Sequence, residues 1–217
     1  MKSVLVIGLG RFGRHLAVRM QDMGNDVMIV DKDPEQVELM ANRFTECSIG
    51  DCTREPVVAS LGVENFDLCF VTTGEDFQSS LVITALLKRH GARRVISKTT
   101  QDIQEELLKQ IGASEVIYPE REIAERVAVR YNSDNIFDFI PLTEDVAMYE
   151  INTPASWIGN TIVGVDVRKK HNVNIIAIKQ GDSILATPGA GYVFQEGDHI
   201  MVMGKATDVF KLAGKSR

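Results

Sequence analysis

The chain has 217 residues, 44% of them hydrophobic and 25% charged, the composition of an ordinary globular protein with room for one large domain or a domain and a smaller companion. Thirty acidic against 24 basic side chains give a formal charge of -6, which argues against coating nucleic acid or anionic membrane yet leaves room for a local basic nucleotide site. No apolar run approaches the roughly 18 residues of a membrane span. The N-terminus does not resemble a signal peptide, and Cys47, Cys52 and Cys69 lack metal-ligand spacing, so a cytosolic chain with free thiols is expected, reaching a membrane only through a partner.

The first stretch, Val4-Leu5-Val6-Ile7-Gly8-Leu9-Gly10-Arg11-Phe12-Gly13, reads as a buried strand running into a glycine turn and an amphipathic helix. In this pattern Gly8 permits the turn, Gly10 lets backbone approach a pyrophosphate and Gly13 lets the helix pack on the strand. The first helical amides and the helix dipole favour an anion. Arg11 adds a positive charge with bidentate reach to a phosphate, or else a solvated surface charge. Phe12, Leu16, Ala17, Met20 and Met23 fall at helical spacing before Gly24, which predicts a helix from Arg11 to about Met23. A second strand, Asp26 to Val30, ends at Asp31, where a carboxylate would hydrogen-bond the ribose diol of a bound adenosine. Lys32 beside it would tolerate an additional phosphate, and Asp33-Pro34 reads as the cap of the next helix.

The unit then repeats. A short strand, Glu46 to Ile49, leads into Gly50-Asp51-Cys52-Thr53; later strands are predicted at Leu68 to Thr72, Arg94 to Ser97 and Glu115 to Tyr118, with helices through Val57 to Leu61, Asp76 to His90 and Asp102 to Gln110. Six short apolar strands alternating with helices predict an α/β fold with a Rossmann-like, doubly wound parallel sheet. Ligands in such sheets sit at the carboxyl ends of the strands, so the turn from Gly8 to Gly13, Asp31, Asp51, Cys52, Thr53, Thr72, Thr73 and Lys98 are expected to line one crevice. Pro119 opens a further helix whose Ile123, Ala124, Val127, Ala128 and Tyr131 make an apolar stripe, free to pack on the sheet or to meet another subunit. Asn132 to Asn135 is a polar breaker, which sets the expected domains at 1–134 and 135–217. Beyond it, strands are expected at about Val146 to Ile151, Asn174 to Lys179, Ser183 to Thr187 and His199 to Met203, with short helices at Val165 to Lys170 and Ala206 to Leu212. This is a small α+β domain, for which association with a second copy would add stability.

The motifs Ile7 to Gly13, Gly50 to Thr53, Ile111-Gly112-Ala113 and Tyr118-Pro119-Glu120 together resemble the RCK/KTN family, the cytosolic gating subunits of Ktr and Trk potassium transporters and the regulatory domains of potassium channels. The resemblance covers nearly the whole chain; one nucleotide domain followed by one TrkA-C-like module is most similar to the Ktr type. It implies a regulatory subunit, not an enzyme, that binds ATP or ADP, or NAD(H). Gly8, Gly10 and Gly13 correspond to the family's glycine turn, Arg11 to its phosphate-facing arginine beside Phe12, Asp31 to the ribose acid with Lys32 adjacent, Asp51 to the acid beside the adenine with Cys52 next, and Lys98 to the lysine ending the fifth strand. Glu120 matches an acid that helps bind Mg2+ or Ca2+ beside the phosphates at a dimer interface, or is a plain helix N-terminal acid. In the second domain Arg168, Asn174 and Ile175, with Ile162 and Val163, match a cyclic di-AMP region, although Arg168 to Lys170 equally reads as a basic helix end. The implied partners are a membrane potassium-translocating subunit and further copies of the chain, as a homodimer assembling into an octameric ring, with no nucleic acid. The implied location is cytoplasmic, peripheral to the inner face of the cell membrane through the transporter subunit.

Two other functions use the same residues. An NAD(P)-dependent oxidoreductase would occupy the same crevice but needs a proton donor near the nicotinamide; no Tyr-x-x-x-Lys pair occurs, and His15, His90, His171 and His199 are scattered. A cysteine redox sensor would be expected to carry Cys-x-x-Cys, which is absent.

Overall fold

The computed structural model describes residues 1–73, 76–143 and 145–214. Two compact units, Met1–Glu120 and Arg121–Arg217, make up the chain. In the first unit the elements run β1 (Ser3–Ile7), α1 (Arg11–Asp22), β2 (Asp26–Asp31), α2 (Pro34–Ala41), β3 (Glu46–Ile49), α3 (Glu55–Ser60), β4 (Leu68–Val71), α4 (Phe77–Arg89), β5 (Val95–Lys98), α5 (Asp102–Gln110) and β6 (Glu115–Ile117). The strands pair in parallel in the order β3-β2-β1-β4-β5-β6, so the chain reverses its direction of travel across the sheet between β1 and β4. That switch point opens a crevice at the carboxyl ends of the strands.

The unbroken apolar run of β1 follows from this architecture. Val4 and Val6 point into one core with Ala17 and Val37, while Leu5 and Ile7 point into the other with Val58, Ile83 and Leu87. A strand covered by helices on both faces has no solvent side on which to place a polar residue. Caps set where the helices begin. Asp33 accepts from the Glu35 amide at 3.0 Å ahead of Pro34, and Asp76 accepts from the Ser79 amide at 3.1 Å. α1 differs: its cap is Gly10, no side chain caps it, and its first turn holds no acid.

In the second unit the elements are the body of α6 (Pro119–Tyr131), then β7 (Ile136–Pro141), β8 (Val146–Asn152), α7 (Ile162–Val165), α8 (Val167–His171), β9 (Asn174–Gln180), β10 (Ser183–Leu185), β11 (Asp198–Lys205) and α9 (Ala206–Leu212). The strands form an antiparallel sheet in the order β10-β9-β11-β8-β7. Ala147, Tyr149 and Ile151 alternate inward from β8 to meet Ile200, Val202, Trp157, Phe194 and Val209. The polar breaker after Tyr131 lies within this unit.

Three details depart from the sequence expectation. β7 is an additional strand; its Ile-Phe-Asp-Phe-Ile-Pro run buries only Ile136 and lies at the sheet edge, so it lacks the two-residue alternation of buried and exposed positions. The single helix expected over Val165 to Lys170 is two short helices, because Asp166 adopts a left-handed φ of 53° between them. β10 stops at Leu185, short of Thr187, as an exposed edge strand.

Candidate functional site

A crevice of about 580 Å³ opens at the switch point, within the usual range for small-molecule sites. Its lining brings together Gly8, Gly10 and Arg11 from the turn, Asp31 and Lys32 from the end of β2, Asp51 and Cys52 after β3, Thr72 and Thr73 after β4, Lys98 at the end of β5, and Glu120. Six sequence-distant segments therefore converge where the parallel topology places them. Phe12 and Gly13 stand behind this lining. The Phe12 ring lies beneath the Lys98 ammonium, 5.9 Å from the centroid, and Gly13 faces the turn itself. Arg168, Asn174 and Ile175 belong to the second unit: Arg168 is exposed on α8, Asn174 opens β9, and Ile175 pairs with Val202 just before a bulge at Ile176.

The turn is tightly built. Gly8 has a φ of +97°, a region unfavourable to side chains, and a Cβ on Gly13 would stand 2.0 Å from the Gly8 carbonyl oxygen. Among the described residues a Cβ on Gly10 would meet nothing within 4 Å, and Gly10 lines the crevice. Together with the uncapped amides that begin α1 and the guanidinium of Arg11, this is a cradle suited to phosphate oxygens. Among the described residues the Thr73 Oγ1, buried at the crevice, has no hydrogen-bond partner.

Charge is distributed unevenly along the crevice. Arg11 and Lys98 lie by Glu120, Lys32 lies by Asp51 and Asp76, and Asp31 reaches the glycine turn, where it accepts from the Leu9 amide. The Thr53 hydroxyl and amide, both bonded to Asp51, hold its carboxyl below the ordinary range despite some burial. Burial, with the neighbouring charges of Asp51 and Asp31, pushes the Cys52 thiol up to about 12, which keeps it protonated at neutral pH. The Lys98 side chain is nearly buried and donates to Glu120 Oε1 at 2.7 Å. Partial burial pushes the Glu120 carboxyl up, but the Lys98 hydrogen bond, the charge of Lys98 and that of Arg11 outweigh it and hold it low.

Glu120 by itself is one carboxylate beside an ammonium, and among the described residues no group of three or more His, Cys, Asp or Glu is placed to hold a metal. A hard divalent cation wants about six oxygens, so one here would draw the others from outside this chain. Gly50, Asp76, Ser79 and Ile83, which are not among the site residues expected from the sequence, also line the crevice. Asp76, Ser79 and Ile83 follow from one signal. The cap of the helix after β4 lies at the carboxyl edge of the sheet, and positions three and seven further on share its face.

The domain models agree with this architecture: the TrkA-N domain matches residues 4–119 and the TrkA-C domain matches 146–214. The chain belongs to the RCK/KTN family. Within it, the Ktr system potassium uptake protein C of Bacillus subtilis is 36% identical over 208 residues, 96% of this chain and 94% of that protein. The Ktr system potassium uptake protein A of Vibrio alginolyticus is 31% identical, covering 99% and 96%. Among solved structures the GsuK channel, also solved bound to NAD, matches the whole chain with a TM-score of 0.74 at 17% identity, a likeness of fold in which this chain spans 40% of the channel chain. Among the described residues no helix is long and apolar enough to cross a membrane.

Proposed function

We propose that this chain is the nucleotide-gated regulatory subunit of a potassium uptake system, acting in the cytoplasm on a membrane-spanning partner and performing no turnover of its ligand. The family relationship supports the role, and the crevice supports the mechanism. ATP or ADP, or NAD(H), would place its phosphates against the α1 amides and Arg11, its ribose on Asp31, and its adenine towards Asp51 and Cys52. The observation that carries the gating is the Lys98–Glu120 pair. Lys98 is the nearly buried cation at the phosphate end, and Glu120 is the second residue of α6, so a phosphate that recruits Lys98 changes what holds the start of that helix. Glu120, released from Lys98, would supply one ligand to a divalent cation, with phosphate oxygens and a second copy of the chain supplying the rest. Domains 1–134 and 135–217 would then act as input and output, with α6, which begins at Pro119 and carries its body in the second unit, as the chain link between them.

In the second unit the reading extends to cyclic di-AMP. Arg168 would face its phosphates, with Asn174 and Ile175 beside its bases. A homodimer, assembled further into an octameric ring, is the geometry in which both sites would act on a membrane partner.

Calorimetric titration of the purified chain with ATP, ADP, NAD, NADH and cyclic di-AMP, with and without Mg2+ or Ca2+, tests the whole reading. Binding of at least one dinucleotide or adenine nucleotide without consumption is expected, lost in Asp31→Ala and weaker for ATP in Arg11→Ala; Arg168→Ala should remove cyclic di-AMP alone. Steady hydride transfer to a metabolite by this chain would overturn the regulatory reading.

A further inference from the structure

The glycine turn is held through a single peptide group. The carbonyl of Gly8 accepts from the Thr72 hydroxyl at 2.5 Å, and the amide of Leu9, the other half of the same peptide, donates to Asp31 Oδ2 at 2.5 Å. Thr72 also lies 3.0 Å from the Ile7 carbonyl, but one hydroxyl carries one proton, and the shorter contact is the one to Gly8. The second oxygen of Asp31 accepts from the Asp33 amide at 2.9 Å, so the carboxylate is fixed at both ends. Thr72 is 7% exposed, and a Cβ on Gly13 would come within 2.5 Å of its hydroxyl.

We infer that Asp31 and Thr72 are positioning residues that clamp the Gly8–Leu9 peptide, so that Asp31 serves phosphate binding through the turn as well as any ribose it touches. The reason is the conformational freedom of glycine. The Gly8–Leu9 peptide turns about Gly8 ψ, which glycine leaves free, and Leu9 φ, which a half turn would drive positive, so the two hydrogen bonds of the clamp add to the steric preference of Leu9 alone. Rotated by half a turn, it would aim the Gly8 carbonyl at the Asp31 carboxylate, two acceptors face to face, and would leave Thr72 without its acceptor. The clamp makes the orientation seen here the favoured one before a ligand arrives, which is the preorganisation an anion cradle needs. It also reverses an electrostatic expectation. A carboxylate close to a phosphate site repels phosphate, so removing it should strengthen phosphate binding unless the carboxylate also builds the site.

The inference rests on the nucleotide reading above, and inorganic pyrophosphate separates the two, because it has no ribose for Asp31 to touch. Calorimetry with pyrophosphate and ADP is run on the wild type, Thr72→Val, Thr72→Ser and Asp31→Ala, together with the Leu9 amide resonance of the ligand-free, 15N-labelled protein. Thr72→Val should weaken both ligands about tenfold and Thr72→Ser restore them. Asp31→Ala should weaken pyrophosphate as well as ADP, and the Leu9 amide proton, which donates to a carboxylate in the wild type, should move upfield. Asp31→Ala protein that loses ADP yet binds pyrophosphate as well as the wild type or better overturns the clamp, as does a Leu9 proton unmoved by the substitution. Should Thr72→Val not fold, Thr72→Ser and the Leu9 resonance in Asp31→Ala decide alone. Wild-type protein that binds neither ligand overturns the nucleotide reading, and the Leu9 resonance then still decides the clamp.

Discussion

At Gly13 a methyl group has nowhere to go. Its nearest neighbour would be a backbone oxygen at 2.0 Å, and the Gly8 carbonyl cannot retreat without giving up Thr72. Gly13→Ala is therefore expected to cost about 3 kcal/mol, the upper end for overpacking, and to abolish nucleotide binding. Thermal melts followed by circular dichroism, with calorimetry on whatever folds, check both. Cys52 makes the opposite kind of prediction. It faces the crevice but is 3% exposed with a thiol raised to about 12, and Cys69 is fully buried and raised to about 12 as well. Thiolate is the reactive form, so at pH 7.5 an aromatic disulfide reagent should modify Cys47 first and reach the other two only on unfolding. A fast-reacting Cys52 would revive a redox role for the crevice.

At the scale of elements, legibility depended on how local the signal was. The β1-turn-α1 unit, β3 and α5 are specified by period and glycine within a dozen residues, and the structure has them where the sequence predicts. The clamp was not legible, because Thr72 meets Gly8 from 64 residues away and only the sheet order brings β4 beside β1. The same holds for Lys98 and Glu120, each recognisable by type but not as a pair. β7 escaped notice because an edge strand with one buried residue has no period to read. A polar cluster on the second sheet is of this non-local kind too. Glu150 on β8 accepts from Lys179 on β9 at 2.8 Å and lies 2.9 Å from the Nδ1 of His199 on β11, whose ring stacks on Phe137 at 4.0 Å. Burial pushes the Glu150 carboxyl up, yet the hydrogen bonds and charges of Lys179 and His199 hold it below its ordinary value. A carboxyl depressed on folding adds stability above its unfolded value of about 4.3 and loses it as the pH falls through the lower folded value. Glu150→Gln should accordingly cost about 1–2 kcal/mol at pH 7, with the gap closing below about pH 4. Fluorescence of Trp157, the single tryptophan and part of this unit's core, reports the melt.

For the whole molecule the open question is what the α6 stripe is for. Ile123, Val127 and Tyr131 recur every four residues along the helix and are 58%, 48% and 78% exposed, and no residue of α6 is fully buried. Val129, on another side, is partly buried against the second core, and Arg126 forms a bidentate pair with Asp138 on β7, so the helix is anchored while its apolar stripe stays in solvent. An apolar stripe on an anchored helix is the pattern of an association surface, and the assembly reading gives it an occupant: the same stripe of a second copy, related by a two-fold axis. Val127 does not line the crevice, which separates assembly from ligand binding. Val127→Asp should lower the mass found by multi-angle light scattering towards that of one chain while leaving ADP affinity within about twofold, since a charge buried at such an interface costs several kcal/mol and one in solvent costs little. In vesicles carrying the membrane subunit, the same variant should fail to stimulate potassium uptake. Unchanged mass in Val127→Asp would assign the stripe to the membrane partner instead, and uptake would then fall with assembly intact.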